Sequence, residues 1–241
     1  HSLMTRISET DLILNKNGSV YHLDLHPEHV SDTVITVGDP DRVSSVTKYF
    51  DRITVKRQRR EFVTHVGWIG NRQLTVISSG MGTDNVEILL TELDALVNIN
   101  LKTRTPRKRK KSLKIIRIGT SGSLQKDVPV DSHLASVYAV GLDNLMHFYR
   151  LKMTPFEKRI SDGIKETTRM PFTPYVAKGS DALMDKMATG MIAGNTVTAP
   201  GFYGPQGRTV RLMPKYSSML QSLASYKEKG TQFRLTNFEM E

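Results

Sequence analysis

The residues of this chain that could do chemistry together are arginines and small hydroxyl residues set beside glycine turns. Gly38-Asp39-Pro40-Asp41-Arg42-Val43 follows a β-branched run, Gly80-Met81-Gly82 follows the run 74–79, and Gly119-Thr120-Ser121-Gly122 follows the run 114–118, which contains Arg117. Glycine turns expose backbone N–H groups, and beside Arg42, Arg117, Thr120 and Ser121 such groups can hold a small oxyanion such as phosphate. Glycine-rich strand ends also arise for purely structural reasons, so spacing alone leaves both readings open. None of the three turns continues into Gly-Lys-Ser/Thr or follows the GxGxxG spacing, which argues against triphosphate and dinucleotide binding.

These turns need elements to position them. The apolar runs predict strands at 34–37, 74–79 and 114–118, each stopping at its glycine turn. A helix is expected after the first turn, and another from about Asp84, where Glu87 three residues on forms a capping-box-like pair. Val86, Leu89, Leu90, Leu93, Leu96 and Val97 then follow the helical period. Further strands are expected at 133–140, 191–197 and 233–236, with helices near 181–188 and 216–229, the last stopped by Gly230. Strands alternating with helices imply an α/β fold with a largely parallel sheet. Ligands of such sheets sit at the carboxyl ends of strands, so the three turns form one candidate site. No solenoid-type repeat and no dividing linker is evident, and one domain over 5–241 is the simplest organisation.

The 241 residues are 38% hydrophobic and 24% charged, the balance of a soluble chain able to bury a full core. No uncharged apolar run approaches the roughly 18–20 residues needed to span a bilayer, and no charged-then-apolar leader opens the sequence. Cysteine is absent, which excludes disulfide scaffolds, thiolate zinc sites and cysteine nucleophiles and suits a cytoplasmic location. His1, Ser2 and Leu3 before Met4 read as a cloning remnant, so 1–4 are set apart. The net charge of +10 is local: Lys102, Arg104, Arg107, Lys108, Arg109, Lys110, Lys111 and Lys114 lie in one acid-free run, and the rest is nearly neutral. That run lacks interleaved aromatics and any nucleic-acid-binding module, so it is expected to be a solvated surface loop. Nucleic-acid binding through 102–114 is the alternative from another function class.

GDPDRV (38–43), RREF (59–62), SSGMGTDN (78–85), RIGTSG (117–122), GFYGPQGR (201–208) and NFEME (237–241) occur in order along the chain. In that order and spacing the sequence resembles the nucleoside phosphorylase family, most of all its uridine phosphorylases, over about 20–241. The resemblance implies one α/β domain with a central mixed, largely parallel sheet flanked by helices. It also implies a pentosyltransferase that splits a pyrimidine ribonucleoside, uridine first, with inorganic phosphate as co-substrate and no organic cofactor or catalytic metal. A purine nucleoside phosphorylase or a nucleosidase of the same fold is the alternative.

Residue by residue, the resemblance assigns phosphate to Gly38, Arg42, Arg60, Arg117 and Thr120, with Arg60 reaching into a neighbouring subunit's site. It assigns the base to Phe202, Gln206 and Arg208, and the ribose to His22, Met240 and Glu241, with His22 lent across a dimer interface to the sugar 5′-hydroxyl. Arg208, Gln206 and Glu241 are then the catalytic set. An amide both donates and accepts, as the uracil N3–H and carbonyl pattern demands, and a guanidinium favours the anionic base left after cleavage. A carboxylate accepting from two hydroxyls suits a sugar that becomes cationic. By residue type alone, His22 also fits an interface histidine without a ligand, and Gln206 and Arg208 a solvated loop. Glu61 and Asn85 resemble a pair that holds a monovalent cation between subunits. A homo-oligomer is implied, a dimer or a hexamer built from dimers. Gly204-Pro205 reverses the order of several relatives. Relatives continue beyond the equivalent of Glu241 with a helix, a strand and a final helix, so the domain is expected to be incomplete at its C-terminus.

Overall fold

Short apolar runs that stop at glycine form strands here much as their composition dictates. The computed structural model describes residues 5–241, and the expected remnant at 1–4 lies outside them. The chain gathers into two compact units, one ending at Gly119 and the other running from Thr120 to Glu241.

In the first unit β1 (Thr33–Val37) runs through a turn into α1 (Arg42–Thr47). Next come β2 (Arg52–Arg59), β3 (Phe62–Ile69), β4 (Arg72–Ser78) and α2 (Thr83–Asn98), then the two-residue partners β5 (Ile99–Asn100) and β6 (Thr105–Pro106), and β7 (Lys114–Ile118). The sheet order is β2-β3-β4-β1-β7, with β1 parallel to both β4 and β7 and the β2–β3–β4 ribbon antiparallel. The strands β2 and β3 are not among the expected elements. Every second residue of β2 is exposed and several are charged, so the strand shows little apolar signal and forms because β3 pairs with it. The α2 stripe of Leu89, Leu93 and Leu96 packs with Val20, Leu23, Leu25, Val34, Phe62 and Ile77.

In the second unit the elements are β8 (Gly122–Ser123), β9 (Leu134–Gly141), α3 (Pro155–Thr168), β10 (Tyr175–Lys178), α4 (Asp181–Met187), β11 (Ile192–Thr198), α5 (Met219–Ser225) and β12 (Asn237–Glu239). The sheet order is β10-β9-β11-β12-β8, parallel at its centre and antiparallel at both edges. The α/β class with mixed sheets flanked by helices is the one expected, and the strands divide over two five-stranded sheets. The helix α3 was not expected, although its start carries a complete signal: Glu157 N–H donates to Thr154 Oγ1 at 3.2 Å, Thr154 N–H donates to Glu157 Oε2 at 2.8 Å, and Pro155 stands at the first turn. Its Ile160 and Ile164 are fully buried against Val140, Val197 and Leu235.

Two expected elements shift. The strand predicted at 233–236 forms instead at Asn237–Glu239, because Gln125 Nε2 donates to Leu235 O at 2.7 Å while Phe233 and Leu235 turn into the core. The helix predicted at 216–229 is confined to Met219–Ser225, since Tyr226 adopts extended backbone and buries its ring, with its hydroxyl donating to Glu228 at 2.7 Å.

The basic run divides by role. Arg104 is buried, and its guanidinium donates to the carbonyls of Ile7, Ser8 and Leu12, so it ties down the N-terminal segment. Lys111 pairs with Asp32 at 2.6 Å and holds that carboxyl below the usual range. Arg107, Lys108 and Arg109 remain exposed.

Two predictions arise from packing. His29 and His65 are buried: His29 Nδ1 accepts from His26 N–H at 2.9 Å, and His65 Nδ1 contacts Thr47 Oγ1 at 2.8 Å. Burial pushes both imidazole pKa values down. Below the unfolded value of about 6.5 the unfolded chain therefore binds more protons than the folded one. The stability is complete above that pH and is lost as pH falls toward the folded values. The Tm is expected to drop between pH 7.5 and 5.5, and His29→Gln should flatten part of that slope; a Tm constant over this range would contradict it.

At Gly141 a Cβ would lie 2.0 Å from the Tyr175 ring, whose hydroxyl donates to Asp143 Oδ1 at 2.6 Å. Gly141→Ala must displace that ring and break the bond beneath it. A loss of about 2–4 kcal/mol in urea unfolding is expected, and a change within 0.5 kcal/mol would refute it.

Candidate active site

Parallel pairing brings the carboxyl ends of β1, β4 and β7 to one level in the first unit. Val37 is opposite Ser78 and Ile118, so Gly38, Ser79 and Gly119 follow at matching positions. Gly80 N–H donates to Gly38 O at 2.8 Å, which locks the first two turns together. Arg42 is the first residue of α1 and is half-buried. Arg117 lies opposite Thr36 on β7. Its guanidinium folds back over the next turn, since a Cβ at Gly119 would lie 2.3 Å from Nη1. Gly38, Arg42 and Arg117 thus stand on one end of one sheet. Thr120 is exposed at the start of the second unit.

The β2–β3 hairpin separates its two arginines. Arg59 turns inward, donating to Asn15 Oδ1 at 2.9 Å with its guanidinium 5.1 Å from the Tyr21 ring. Arg60 occupies the tip with φ of 52°, a left-handed conformation that costs a side-chain-bearing residue energy, and it is exposed. Among the described residues no ion pair or side-chain hydrogen bond holds it. Glu61 and Asn85 are brought together, with Asn85 Nδ2 donating to Glu61 Oε1 at 2.8 Å. Among the described residues no cluster of three or more His, Asp or Glu side chains could hold a metal ion.

His22 is gripped by a residue the sequence reading did not select. Glu92 is buried on α2, where it accepts from His22 N–H at 2.7 Å, from Leu23 N–H at 3.1 Å and from His22 Nδ1 at 2.7 Å. A signal was available: Glu92 lies on the same face as Leu89 and Leu96, and a carboxylate within an apolar stripe demands hydrogen-bonding partners.

In the second unit, β11 ends at Thr198 and the following loop makes a short 3₁₀ turn at Gly204–Gln206. Gly207 closes the turn with φ of 75°, which a glycine adopts without strain. The turn assembles the three expected base residues. Arg208 Nη1 donates to Gln206 Oε1 and to Phe202 O, both at 2.7 Å, and the guanidinium lies 3.8 Å from the centre of the Phe202 ring. Gln206 is buried, and its Nε2 donates to Gly201 O at 3.1 Å. Beside Arg208 opens a cavity of about 540 Å³ walled by Tyr203, Val210, Leu212, Met213 and Pro214.

Met240 and Glu241 follow β12 and are half-buried. Glu239, which the sequence reading left aside, is buried: it accepts from Thr198 Oγ1, and its Oε2 accepts from Glu241 N–H at 2.5 Å. It therefore fixes the backbone from which Glu241 projects. The Tyr175 hydroxyl is pushed far above its usual pKa by burial first and then by its bond to Asp143, with the charge of Glu239 adding to the effect.

Residues 32–241 match the sequence pattern that defines the phosphorylase superfamily. The chain belongs to this superfamily. It is 26% identical over 224 residues to the uridine phosphorylase of Haemophilus influenzae, covering 92% of this chain and 77% of that one. It is 24% identical over 200 residues to a purine nucleoside phosphorylase of Buchnera aphidicola, covering 83% and 74% respectively. Among solved structures, a Trypanosoma brucei nucleoside phosphorylase described as showing uridine phosphorylase activity superposes with a TM-score of 0.87 at 31% identity, over 96% of this chain and 83% of that one.

Proposed function

We propose that this phosphorylase cleaves the N-glycosidic bond of a pyrimidine ribonucleoside, uridine first, giving free base and ribose 1-phosphate. The Gln206–Arg208 pair carries the reading. With one amide proton on Gly201 O and one Oε1 lone pair taken by Arg208, Gln206 keeps one donor and one acceptor. A uracil edge offers a carbonyl and an N3–H to match them. Arg208 is charged, and the Phe202 ring lies against its guanidinium.

Phosphate would bind at Gly38, Arg42, Arg117 and Thr120, with Arg60 supplied by a neighbouring subunit. It is already an anionic nucleophile and needs positioning more than activation by a base. An oxygen of phosphate forms the new bond to C1′ as the C1′–N1 pair leaves with uracil, and the uracil anion then takes a proton from water. Arg208 favours that anion, while Glu241 and Met240 hold a ribose with oxocarbenium character. His22 accepts the sugar's 5′-hydroxyl across a dimer interface, so the working form is a homo-oligomer. The exposed Arg60 tip supports that assembly.

Incubation with uridine or inosine, with and without phosphate, tests the proposal. Phosphate-dependent uracil release is expected. Base release without phosphate would make the protein a nucleosidase, and preference for inosine would favour the purine branch.

A further inference from the structure

We infer that Glu92 is the positioning residue that sets the protonation pattern of His22, and through it the sense of its hydrogen bond to a ribose 5′-hydroxyl. The inference rests on the proposed role of His22.

An ionised carboxylate only accepts hydrogen bonds, so the 2.7 Å contact from Glu92 Oε2 places the ring proton on His22 Nδ1. Nε2 is then the nitrogen left to meet a ligand, on a side chain one-third exposed. With its proton on Nδ1, the ring presents an Nε2 lone pair that can accept the sugar hydroxyl proton. The ring is held from several sides. Glu92 also fixes the backbone through His22 N–H and Leu23 N–H, and Tyr21 stands edge-on at 4.9 Å between ring centres.

The fold does not call for a carboxylate at this place. Leu89, Leu93 and Leu96 are fully buried around it, and an apolar side chain would complete their stripe. Burying a charge is costly unless every lone pair is satisfied, and the three donors that offset the cost all belong to the His22 segment. The contact therefore spends its interactions on orienting one imidazole. A site built to bond a hydroxyl discriminates against analogues that lack it, because its polar group then loses that partner.

Glu92→Gln separates orientation from packing. The amide oxygen can serve the two backbone N–H groups, which turns the amide NH₂ toward Nδ1 and moves the ring proton to Nε2. Because a hydroxyl oxygen accepts as well as donates, Nε2–H can still bond it. The ratio of kcat/KM for uridine to that for 5′-deoxyuridine is therefore expected to fall about tenfold in His22→Ala, one hydrogen bond's worth, and by less in Glu92→Gln, where nitrogen-15 NMR should find the ring proton on Nε2. The double variant should lose nothing more than His22→Ala. Nitrogen-15 NMR of the wild-type protein should show His22 protonated at Nδ1. Two results would overturn the inference: a wild-type spectrum with the proton on Nε2, or a Glu92→Gln spectrum with the proton still on Nδ1. The wild-type spectrum decides even if the variant does not fold. Failure of the wild-type protein to use uridine would instead overturn the proposed function, with the ring proton still readable.

Discussion

Arg208→Ala is expected to lower kcat/KM for uridine by about two to three orders of magnitude, with the loss mainly in kcat. In the proposed reaction the guanidinium works on charge that appears only as the C1′–N1 bond breaks, and interactions that grow toward the transition state govern turnover. The substitution also frees Gln206 Oε1 and Phe202 O, both held at 2.7 Å by Arg208 Nη1. Arg208→Lys restores the charge but not the planar fork, so it should recover only part of the rate. Arg117→Ala is expected to act differently, raising the phosphate KM. Steady-state kinetics with each substrate varied in turn check the pair, and one shared kinetic profile would show that the division of labour is wrong.

Mixing Arg60→Ala chains with Arg117→Ala chains, at a phosphate concentration too low for either to work alone, is expected to restore activity. In an isologous dimer the site that uses Arg117 of one subunit takes Arg60 from the other. Random exchange makes half the dimers mixed, and each mixed dimer assembles one intact site, so up to about a quarter of the sites recover. Hairpin geometry favours this outcome: Arg60 sits exposed at a tip in a left-handed conformation while Arg59 is turned inward on Tyr21 and Asn15. A site built within one chain allows no rescue. A mixture shown to have exchanged subunits, yet as inactive as either parent, would leave Arg60 a surface arginine.

Features written in a few consecutive residues were legible from the sequence. The runs that became Thr33–Val37, Arg72–Ser78 and Lys114–Ile118 each end at a glycine, and a strand that meets a turn needs only local composition to declare itself. The same holds for the Leu89, Leu93 and Leu96 stripe, and for the six ordered segments that carry the resemblance to nucleoside phosphorylases. Superfamily, strand–turn units and candidate residues follow from the chain alone. Tertiary structure decided which side chains meet, because those contacts join residues that no period or motif connects. Glu92 reaches back 70 positions to His22, and Arg104 reaches back 97 to Ile7, which turns part of a run expected to be a solvated loop into a clamp. Arg59 and Arg60 are the same residue type in different settings, because the hairpin turns Arg59 onto Asn15 and Tyr21 and leaves Arg60 exposed. Burial supplies the physical reason: a charge inside a fold is tolerated only where distant donors and acceptors converge on it, and that convergence exists only once the chain has folded.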